Sequence, residues 1–484
     1  MTFGQTYHKL SEIQADLLNR KITCAELVEG YLKNIEASKH LNAYVEVYTE
    51  EAREMATRLD DKLKDQPESA GRLAGMVIAI KDVLCYKDHK VTAASAILEG
   101  FESLFSCTAI ERLIEEDAII IGRVNCDQFA MGSTNENSVY GPVLNAFDET
   151  KVPGGSSGGS AVAVQTDTCL AALGTDTGGS VRQPAAFCGI IGFKPSYGRI
   201  SRHGLLAYAS SFDQVGILAK SVEDTALLME IMAGQDEHDS TVSLRPVEPY
   251  SQKLEFGEKA RIAFFDSALN HEGLDPDIRQ KTKNLIQDLK DQGHTVEPVG
   301  FEYLDYIIPA YYVLTTAEAS SNLSRYDGIK FGRRSPNASN LEETYKKSRT
   351  EGFSEEVKRR IILGTFVLSA GYYDAYYTKA QKVRRLIYDR TNAIFEDYDF
   401  ILMPAAPSTP FGIGEKTTDP VEMYLADIYT VQANMAGIPA ICLPMGDHKN
   451  GLPIGIQFMA RQFDESRLLA FSRMVLNHTL KPKN

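Results

Sequence analysis

The sequence has no long hydrophobic run and few cysteines. No segment approaches the roughly 18 apolar residues that a transmembrane helix needs, and the opening residues, MTFGQTYHKLSEIQADLL, contain no apolar core of the signal-peptide type. The seven cysteines are widely spaced and include no C-x-x-C pair, which indicates reduced thiols rather than a disulfide framework or a zinc site. We therefore expect a cytoplasmic protein with no membrane partner and no bound metal.

Positive charge is also scarce. Lysine and arginine number 51 against 65 aspartates and glutamates, so the formal net charge is −14. Because nucleic-acid backbones are bound by basic surfaces, we do not expect this chain to hold a nucleic acid unaided. No G-K-[ST] sequence follows a glycine-rich stretch, so the chain carries no phosphate loop for a nucleotide.

Short apolar runs without alternation recur along the chain and are typical of strands buried on both faces. Amphipathic segments separate some of them, and near the N-terminus Thr23 and Glu26 form a capping-box pattern at the start of a helix. This alternation predicts an α/β fold with a mixed or parallel sheet between helices. The predicted strands lie at 76–80, 118–121, 169–173, 260–265, 400–403 and 456–458.

Two glycine-rich stretches contain serines, PGGSSGGSAVA at 153–163 and GTDTGGSVRQP at 174–184. The first formally matches the G-x-S-x-G elbow of α/β-hydrolases, but that elbow follows a buried strand and here the preceding residues are polar. The second contains D-T-G, yet aspartic proteases need two such segments and the chain has one. The remaining alternatives are surface turns with helix-capping serines or a pair of catalytic serines.

The second stretch has the features of a nucleophile site. CLAALGTD reads as a buried strand, and SVRQPAAFCG reads as the start of a helix, with Ser180 at the turn between them. Backbone N–H groups at a helix N-terminus can stabilise a developing oxyanion, and glycine leaves them uncovered. Ser180 is therefore the candidate nucleophile, with Thr177, Gly178 and Gly179 as the candidate oxyanion hole.

A base is needed to take the proton of this serine. The nine histidines are scattered, and the nearest, His203, lies outside the glycine-rich stretches. Lys81 ends the apolar run in AGMVIAIKDVL, where a charge is unexpected unless the side chain reaches out to solvent. A buried lysine can act as a base because burial lowers its pKa from about 10.4.

The segments AIKD, GGSSGGSAVA and GTDTGGSVRQPAAFCGIIGFKPSYGRIS together resemble the amidase signature family. That resemblance implies a Ser–Ser–Lys triad in which Ser180 attacks, Lys81 is the base and Ser156 bridges them, within a stretch that contains a cis peptide bond in relatives. It also implies a large, twisted, mostly parallel mixed sheet between helices. We expect residues 1–65 to form a helical segment packed on an amidase signature domain at 66–478.

Within this family, segments such as FAMGSTNENSVYGP and SAGYYDAYYTKAQKVR are similar to the A subunits of tRNA-dependent amidotransferases, over essentially residues 8–478. The resemblance implies a glutaminase that supplies ammonia to convert Glu-tRNA(Gln), and in some relatives Asp-tRNA(Asn), to the amide. It implies no cofactor in this chain, a B subunit that uses ATP and Mg and binds the tRNA, and a small C subunit. The alternatives are a stand-alone amidase for small amides and a catalytically silent scaffold.

Glutamine carries an α-carboxylate and an α-ammonium, and a selective pocket must pair both. The resemblance implies that Arg360 binds the first group and Asp427 the second, with Tyr311 and the Met131–Gly132 loop lining the pocket. Arg359 is the alternative to its neighbour, and both arginines could instead lie on a solvated helix face, as is common in K-R-R runs.

Overall fold

The computed structural model describes residues 6–415 and 427–478, which contain one sheet of 11 strands. All six predicted apolar runs fall within strands or overlap them. The strands in chain order are β1 (Tyr44–Val47), β2 (Val77–Lys81), β3 (Ile119–Val124), β4 (Ala171–Thr175), β5 (Ile191–Lys194), β6 (Val215–Ala219), β7 (Arg261–Phe265), β8 (Thr295–Val299), β9 (Phe400–Pro404), β10 (Ala440–Asp447) and β11 (Pro453–Ala460).

The sheet is mixed, as predicted, with the spatial order β1-β3-β2-β4-β6-β5-β10-β11-β9-β7-β8. Parallel pairing is confined to two groups, β3–β2–β4 and β9–β7–β8. The middle strands, from β4 through β6, β5, β10 and β11 to β9, pair antiparallel. The expectation of mostly parallel pairing therefore holds within these two groups and not in the middle of the sheet. A continuous apolar run reports burial on both faces and carries no information on strand direction.

Helices pack around this sheet and bury its central strands completely; all residues of β2, β4, β6 and β9 are buried. The helices are α1 (Leu10–Leu18), α2 (Cys24–Ala37), α3 (Thr49–Asp65), α4 (Thr108–Glu115), α5 (Gly158–Gln165), α6 (Arg182–Cys188), α7 (Val222–Met232), α8 (Asp266–Leu269), α9 (Pro276–Asp291), α10 (Leu304–Asn322), α11 (Leu341–Gly352), α12 (Glu355–Val367), α13 (Lys379–Asp397), α14 (Val431–Ala436) and α15 (Glu465–His478). A short π-helical turn, Asp374–Thr378, precedes α13.

The N-terminal segment shares the hydrophobic core of the rest of the chain and adds a strand to its sheet. The predicted capping box is present at the start of α2, where the Thr23 side chain accepts from the N–H of Glu26. Ile13 of α1 and Val28 of α2 belong to the same buried cluster as the central strands. The segment also supplies β1, which pairs antiparallel with β3 at the sheet edge, so it is more than helices. The boundary between residues 65 and 66 stays a prediction.

Two parallel neighbours determine where the site forms. β2 and β4 run side by side, so their carboxyl ends, Lys81 and Thr175, lie at the same edge of the sheet. The loops that lead into α5 and α6 approach this edge and carry the two glycine-rich stretches. No helix within the described ranges is long and apolar enough to cross a membrane, and all seven cysteines are buried and free.

Candidate active site

Lys81 ends β2 in a completely buried position. Its Nζ donates to Ser156 Oγ at 2.7 Å, to Ser157 Oγ at 2.8 Å and to Thr175 Oγ1 at 2.9 Å. The three acceptors match the three protons of an ammonium group and are all neutral hydroxyls. The structure therefore places the candidate base in hydrogen-bond contact with the candidate bridging serine.

The ammonium of Lys81 is destabilised by its surroundings. Burial lowers the pKa of Lys81 to about 8, against the fields of three buried carboxyls, Asp127, Asp176 and Asp213, which favour the charged form. A substantial neutral fraction is therefore present near neutral pH, as base catalysis requires.

The two serine loops are joined directly. The N–H of Ser157 donates to the carbonyl of Ser180 at 3.2 Å, and the Gly155–Ser156 peptide bond is cis. Ser180 lies two residues before the start of α6 and is 9% exposed. Its Oγ forms no hydrogen bond with any described residue, whereas the Oγ of Ser156 is held by the lysine. The hydroxyl that is left for a substrate is that of Ser180.

A buried carboxylate holds the loop that carries Ser180. Asp176 accepts from the N–H of Gly179 at 2.9 Å and from Arg182 through Nε at 3.0 Å and Nη2 at 2.9 Å. Asn434 adds a hydrogen bond to the same carboxylate at 2.9 Å. Burial alone would raise the pKa of Asp176, but the Arg182 guanidinium outweighs it and holds the pKa at about 2. The carboxylate is therefore ionised at any working pH and fixes the turn.

The peptide between Gly178 and Gly179 is held at both ends. Thr430 Oγ1 donates to the Gly178 carbonyl at 2.7 Å, and the Gly179 N–H points to the carboxylate beneath the loop. The candidate oxyanion donors therefore divide into two kinds. The N–H group of Gly179 already donates to Asp176. The N–H groups of Thr177, Gly178 and Ser180 donate to no described residue.

Arg360 and Arg359 on α12 both bind Glu356 but differ in exposure. The Arg359 side chain is 49% exposed, whereas Arg360 is 3% exposed. Arg360 donates to Glu356 at 2.8 Å and to the Tyr208 hydroxyl at 2.9 Å, and its guanidinium lies 5.4 Å from the ring centroid of Tyr312. Of the two arginines, the structure places Arg360 inside.

Asp427 lies near that guanidinium. Its Oδ2 accepts from the Ser133 hydroxyl at 2.7 Å and from the Tyr312 hydroxyl at 3.4 Å. Burial raises the pKa of Asp427 to about 7, although the hydrogen bond from Ser133 and the charge of Arg360 act in the other direction. A cationic ligand group beside this carboxyl would favour its ionised form.

The other candidate pocket residues lie close to these groups. Tyr311 is buried on α10, and a Cβ built on Gly178 would overlap its hydroxyl, so the tyrosine contacts the oxyanion loop. Met131 is completely buried, and Gly132 connects it to Ser133. The structure thus brings Tyr311 to the loop that carries the nucleophile and places the Met131–Gly132 loop next to Ser133, which binds Asp427.

Two hydroxyls and one carboxylate of the site have no clear signal in the sequence. Ser157 and Thr175 bind Lys81, but hydroxyls in a turn or at a strand end are ordinary residues there. Asp176 stands out in the sequence only through the D-T-G match, and its partner Arg182 reads as a helix-surface residue. Within the described ranges, no group of three His, Cys, Asp or Glu side chains could hold a metal ion.

The comparisons with known proteins agree with this geometry. A family model described as Amidase matches residues 26–469, and the chain belongs to this amidase family.

The curated relatives in the comparison are similar over nearly their whole length. The A subunit of glutamyl-tRNA(Gln) amidotransferase from Chlorobaculum parvum is 49% identical over 96% of this chain and 97% of its own. The protein of the same name from Chlorobaculum tepidum is 48% identical, with 96% and 97% covered.

Solved structures share the fold. The crystal structure of the A subunit of glutamyl-tRNA(Gln) amidotransferase from Thermotoga maritima aligns with a TM-score of 0.77 at 38% identity over 94% of each chain. The crystal structure of an amidase aligns with a TM-score of 0.81 at 27% identity, covering 97% of this chain and 99% of the other.

Proposed function

We propose that this chain is the glutaminase subunit of a glutamyl-tRNA(Gln) amidotransferase. The observation that carries the proposal is the buried Lys81 bonded to Ser156 beside the open hydroxyl of Ser180. It stands in a chain that is 48–49% identical to curated A subunits over nearly its full length.

In the first step, Ser180 Oγ attacks the side-chain amide carbon of glutamine. Neutral Lys81 draws a proton from Ser156, which takes the proton of Ser180, so the relay ends with an ammonium on the lysine. The negative charge that develops on the amide oxygen is stabilised by the N–H groups of Thr177, Gly178 and Ser180. Collapse of this intermediate breaks the C–N bond, and the relay returns the proton to the leaving nitrogen, which departs as ammonia.

In the second step, water attacks the glutamyl ester of Ser180. The same relay takes a proton from the water and returns one to Ser180 Oγ, so glutamate leaves and the enzyme is regenerated. No further group is needed to balance the two half-reactions.

The pocket residues explain the choice of glutamine over a simple amide. The Arg360 guanidinium supplies a planar donor for the α-carboxylate, and Asp427 supplies a carboxylate for the α-ammonium. Because the pKa of Asp427 is about 7, binding of the ammonium also stabilises its ionised form. A ligand that lacks both charges forms neither of these charge-assisted contacts and is therefore bound less tightly.

Other chains complete the reaction. This chain is acidic and lacks a phosphate loop, so activation of the tRNA-bound carboxylate by ATP and Mg is assigned to a B subunit that also binds most of the tRNA. A small C subunit joins the two into a heterotrimer. We expect this complex in the cytoplasm, where its proposed substrate, an aminoacyl-tRNA, is used.

The test compares hydrolysis of glutamine with that of simple aliphatic and aromatic amides, with and without co-expressed partner subunits. The proposal expects glutamine to be preferred and the released ammonia to amidate Glu-tRNA(Gln) in the complex. Preference for simple amides would support a stand-alone amidase, and absence of any hydrolysis would support a silent scaffold. Including Asp-tRNA(Asn) in the same assay decides whether the second acceptor is used.

Replacement of Arg360 by alanine should lower kcat/KM for glutamine by about thirtyfold or more, because truncating one partner of a buried charge-assisted contact costs about 2–5 kcal/mol. Arg359→Ala is the matched control, since the adjacent arginine is exposed, and it should keep near-normal turnover. Added ammonium should restore amidation of Glu-tRNA by the complex carrying Arg360→Ala. Normal glutamine turnover in Arg360→Ala, with a loss in Arg359→Ala, would show that the role belongs to the other arginine.

The pH dependence follows from the two perturbed groups. Lys81, with a pKa of about 8, acts only when neutral, and Asp427, with a pKa of about 7, pairs the substrate only when ionised. Both active forms are lost as pH falls, so log kcat/KM should decline below about pH 8 and more steeply below about pH 7. Steady-state kinetics from about pH 6 to about pH 8.5 measure this profile. Activity that rises as pH falls through this range would contradict a lysine base.

A further inference from the structure

The carboxylate of Asp127 contacts the pocket loop and packs against Gly155, the residue before the bridging serine, and the mechanism above does not use it. Asp127 is completely buried. Its Oδ2 accepts from the N–H of Asn135 at 2.9 Å, and its Oδ1 accepts from the N–H of Asn137 at 3.1 Å. Its own N–H donates to the carbonyl of Ser156 at 3.2 Å. One residue thus closes the loop 127–137 and touches the backbone of the proton relay.

Two glycines make room for this carboxylate. A Cβ built on Gly132 or on Gly155 would overlap the Asp127 side chain. Gly132 belongs to the pocket loop, and Gly155 directly precedes Ser156. The carboxylate is therefore packed between the two segments, and neither can shift without displacing it.

A second side chain joins the same two segments. Gln183 accepts from the N–H of Gly155 at 2.9 Å and donates to the carbonyl of Ser133 at 3.0 Å. The hydroxyl of Ser133 in turn donates to Asp427. A continuous chain of contacts therefore runs from the carboxylate that faces the substrate ammonium to the residue before the bridging serine.

We infer that Asp127 is a positioning residue that couples the glutamine pocket to the Ser156–Lys81 proton relay. The inference rests on the proposed function for the identity of the pocket. Asp127 fixes the position of the pocket loop relative to Gly155, the residue before Ser156. It is also one of the buried carboxylates whose charge acts on Lys81.

The charge of Asp127 shifts the pKa of Lys81 in a definite direction. The titratable groups that act on Lys81 are the thiol of Cys126, which stays protonated because burial raises its pKa, and the carboxyls of Asp127, Asp176 and Asp213. Those that act on Asp127 are Lys81 and Glu136. Burial raises the pKa of Asp127 to about 6, so it is ionised where Lys81 titrates. Its negative charge favours the protonated lysine. Removing that charge should therefore lower the pKa of Lys81 and move the rising limb of the pH profile to lower pH.

The test compares Asp127→Asn with Asp224→Asn in the full chain with its partner subunits. Asp224 is a matched control: it is buried, accepts from the N–H of Leu10 at 3.0 and 3.1 Å, and has a pKa raised to about 6 by burial. It contacts the start of α1 and no residue of the site. Thermal unfolding confirms that each variant is folded.

We expect Asp127→Asn to lower kcat/KM for glutamine by about tenfold or more, because one of the two accepting oxygens becomes an NH2 group, which cannot accept the N–H that it faces. The midpoint of the rising limb in its kcat/KM–pH profile should move to lower pH. Asp224→Asn should change neither quantity. A midpoint and kcat/KM that match those of Asp224→Asn would overturn the inference.

Gly132→Ala covers the case in which Asp127→Asn does not fold. The added methyl group should displace the carboxylate while leaving its charge, so kcat/KM should fall without a shift to lower pH. Wild-type kinetics in Gly132→Ala would overturn the inference. If the wild-type enzyme hydrolysed simple amides and no glutamine, the proposed function would fail, and the same comparison run on those amides would still decide the role of Asp127.

Discussion

Replacing Ser180 by alanine should abolish glutamine hydrolysis, with kcat reduced by more than about 10⁴-fold, as loss of the nucleophile does in other serine hydrolases. The Ser180 hydroxyl forms no hydrogen bond with a described residue, so its removal leaves no buried partner unsatisfied and the free energy of unfolding should change little. Ammonia release measures the activity, and thermal unfolding measures the stability.

Ser160→Ala is the matched control for that variant. Ser160 is buried in the same glycine-rich region and donates to the Leu173 carbonyl, away from Lys81. It should keep most of its glutaminase activity. The complex carrying Ser180→Ala should still amidate Glu-tRNA when ammonium is added, because only the ammonia supply is lost. Full glutaminase activity in Ser180→Ala would overturn the assignment of the nucleophile.

Replacing Lys81 by methionine should have the next largest effect, a loss of about 10³-fold or more in kcat, because no other base contacts Ser156 among the described residues. Lys81→Arg should fail as well, since a guanidinium stays protonated near neutral pH. Both variants are assayed by ammonia release across the pH range. Retained turnover in Lys81→Arg would indicate that a histidine is the base.

Lys194→Met separates loss of the base from loss of a buried charge. Lys194 is also completely buried, its pKa is lowered to about 7 by burial, and its Nζ donates to the carbonyls of Pro195 and Ile438. Both variants remove a buried amine and leave its acceptors unpaired, so both should alter stability. Only Lys81→Met should lose the chemical step. An equal loss of kcat in the two variants would argue against Lys81 as the base.

The sequence is sufficient to predict the family and six of the eleven strands; the strands that were not predicted are β1, β5, β6, β8 and β10. Glycine-rich turns keep Ser156 and Ser180 at recognisable places in the chain, and a lysine that ends an apolar run is rare enough to be noticed. Strand direction and the edge strands are not predictable in this way. β8, Thr295–Val299, is mostly exposed and contains Pro298, so it lacks the continuous apolar run that marks buried strands.

The burial of Arg360 could have been predicted from the sequence by identifying which face of the helix is buried. The buried residues of α12 are separated by three or four positions, which places them on one side of a helix. Arg359 lies outside this spacing and points to solvent. The buried set is Val357, Arg360, Gly364 and Val367.

By itself the sequence identified Lys81, Ser156 and Ser180 as the candidate triad, because their motifs resemble those of a known family. It also placed backbone N–H groups beside Ser180, because that property depends on neighbours along the chain. Only the tertiary structure decided which N–H groups remain open. Thr430, far along the chain, and Asp176 orient the Gly178–Gly179 peptide, so Gly179 donates inward. The pKa of Lys81 was decided in the same way: burial under the folded chain lowers it, and buried carboxyls from separate segments oppose that shift. Desolvation and electric fields depend on distance in space, which the order of residues does not specify.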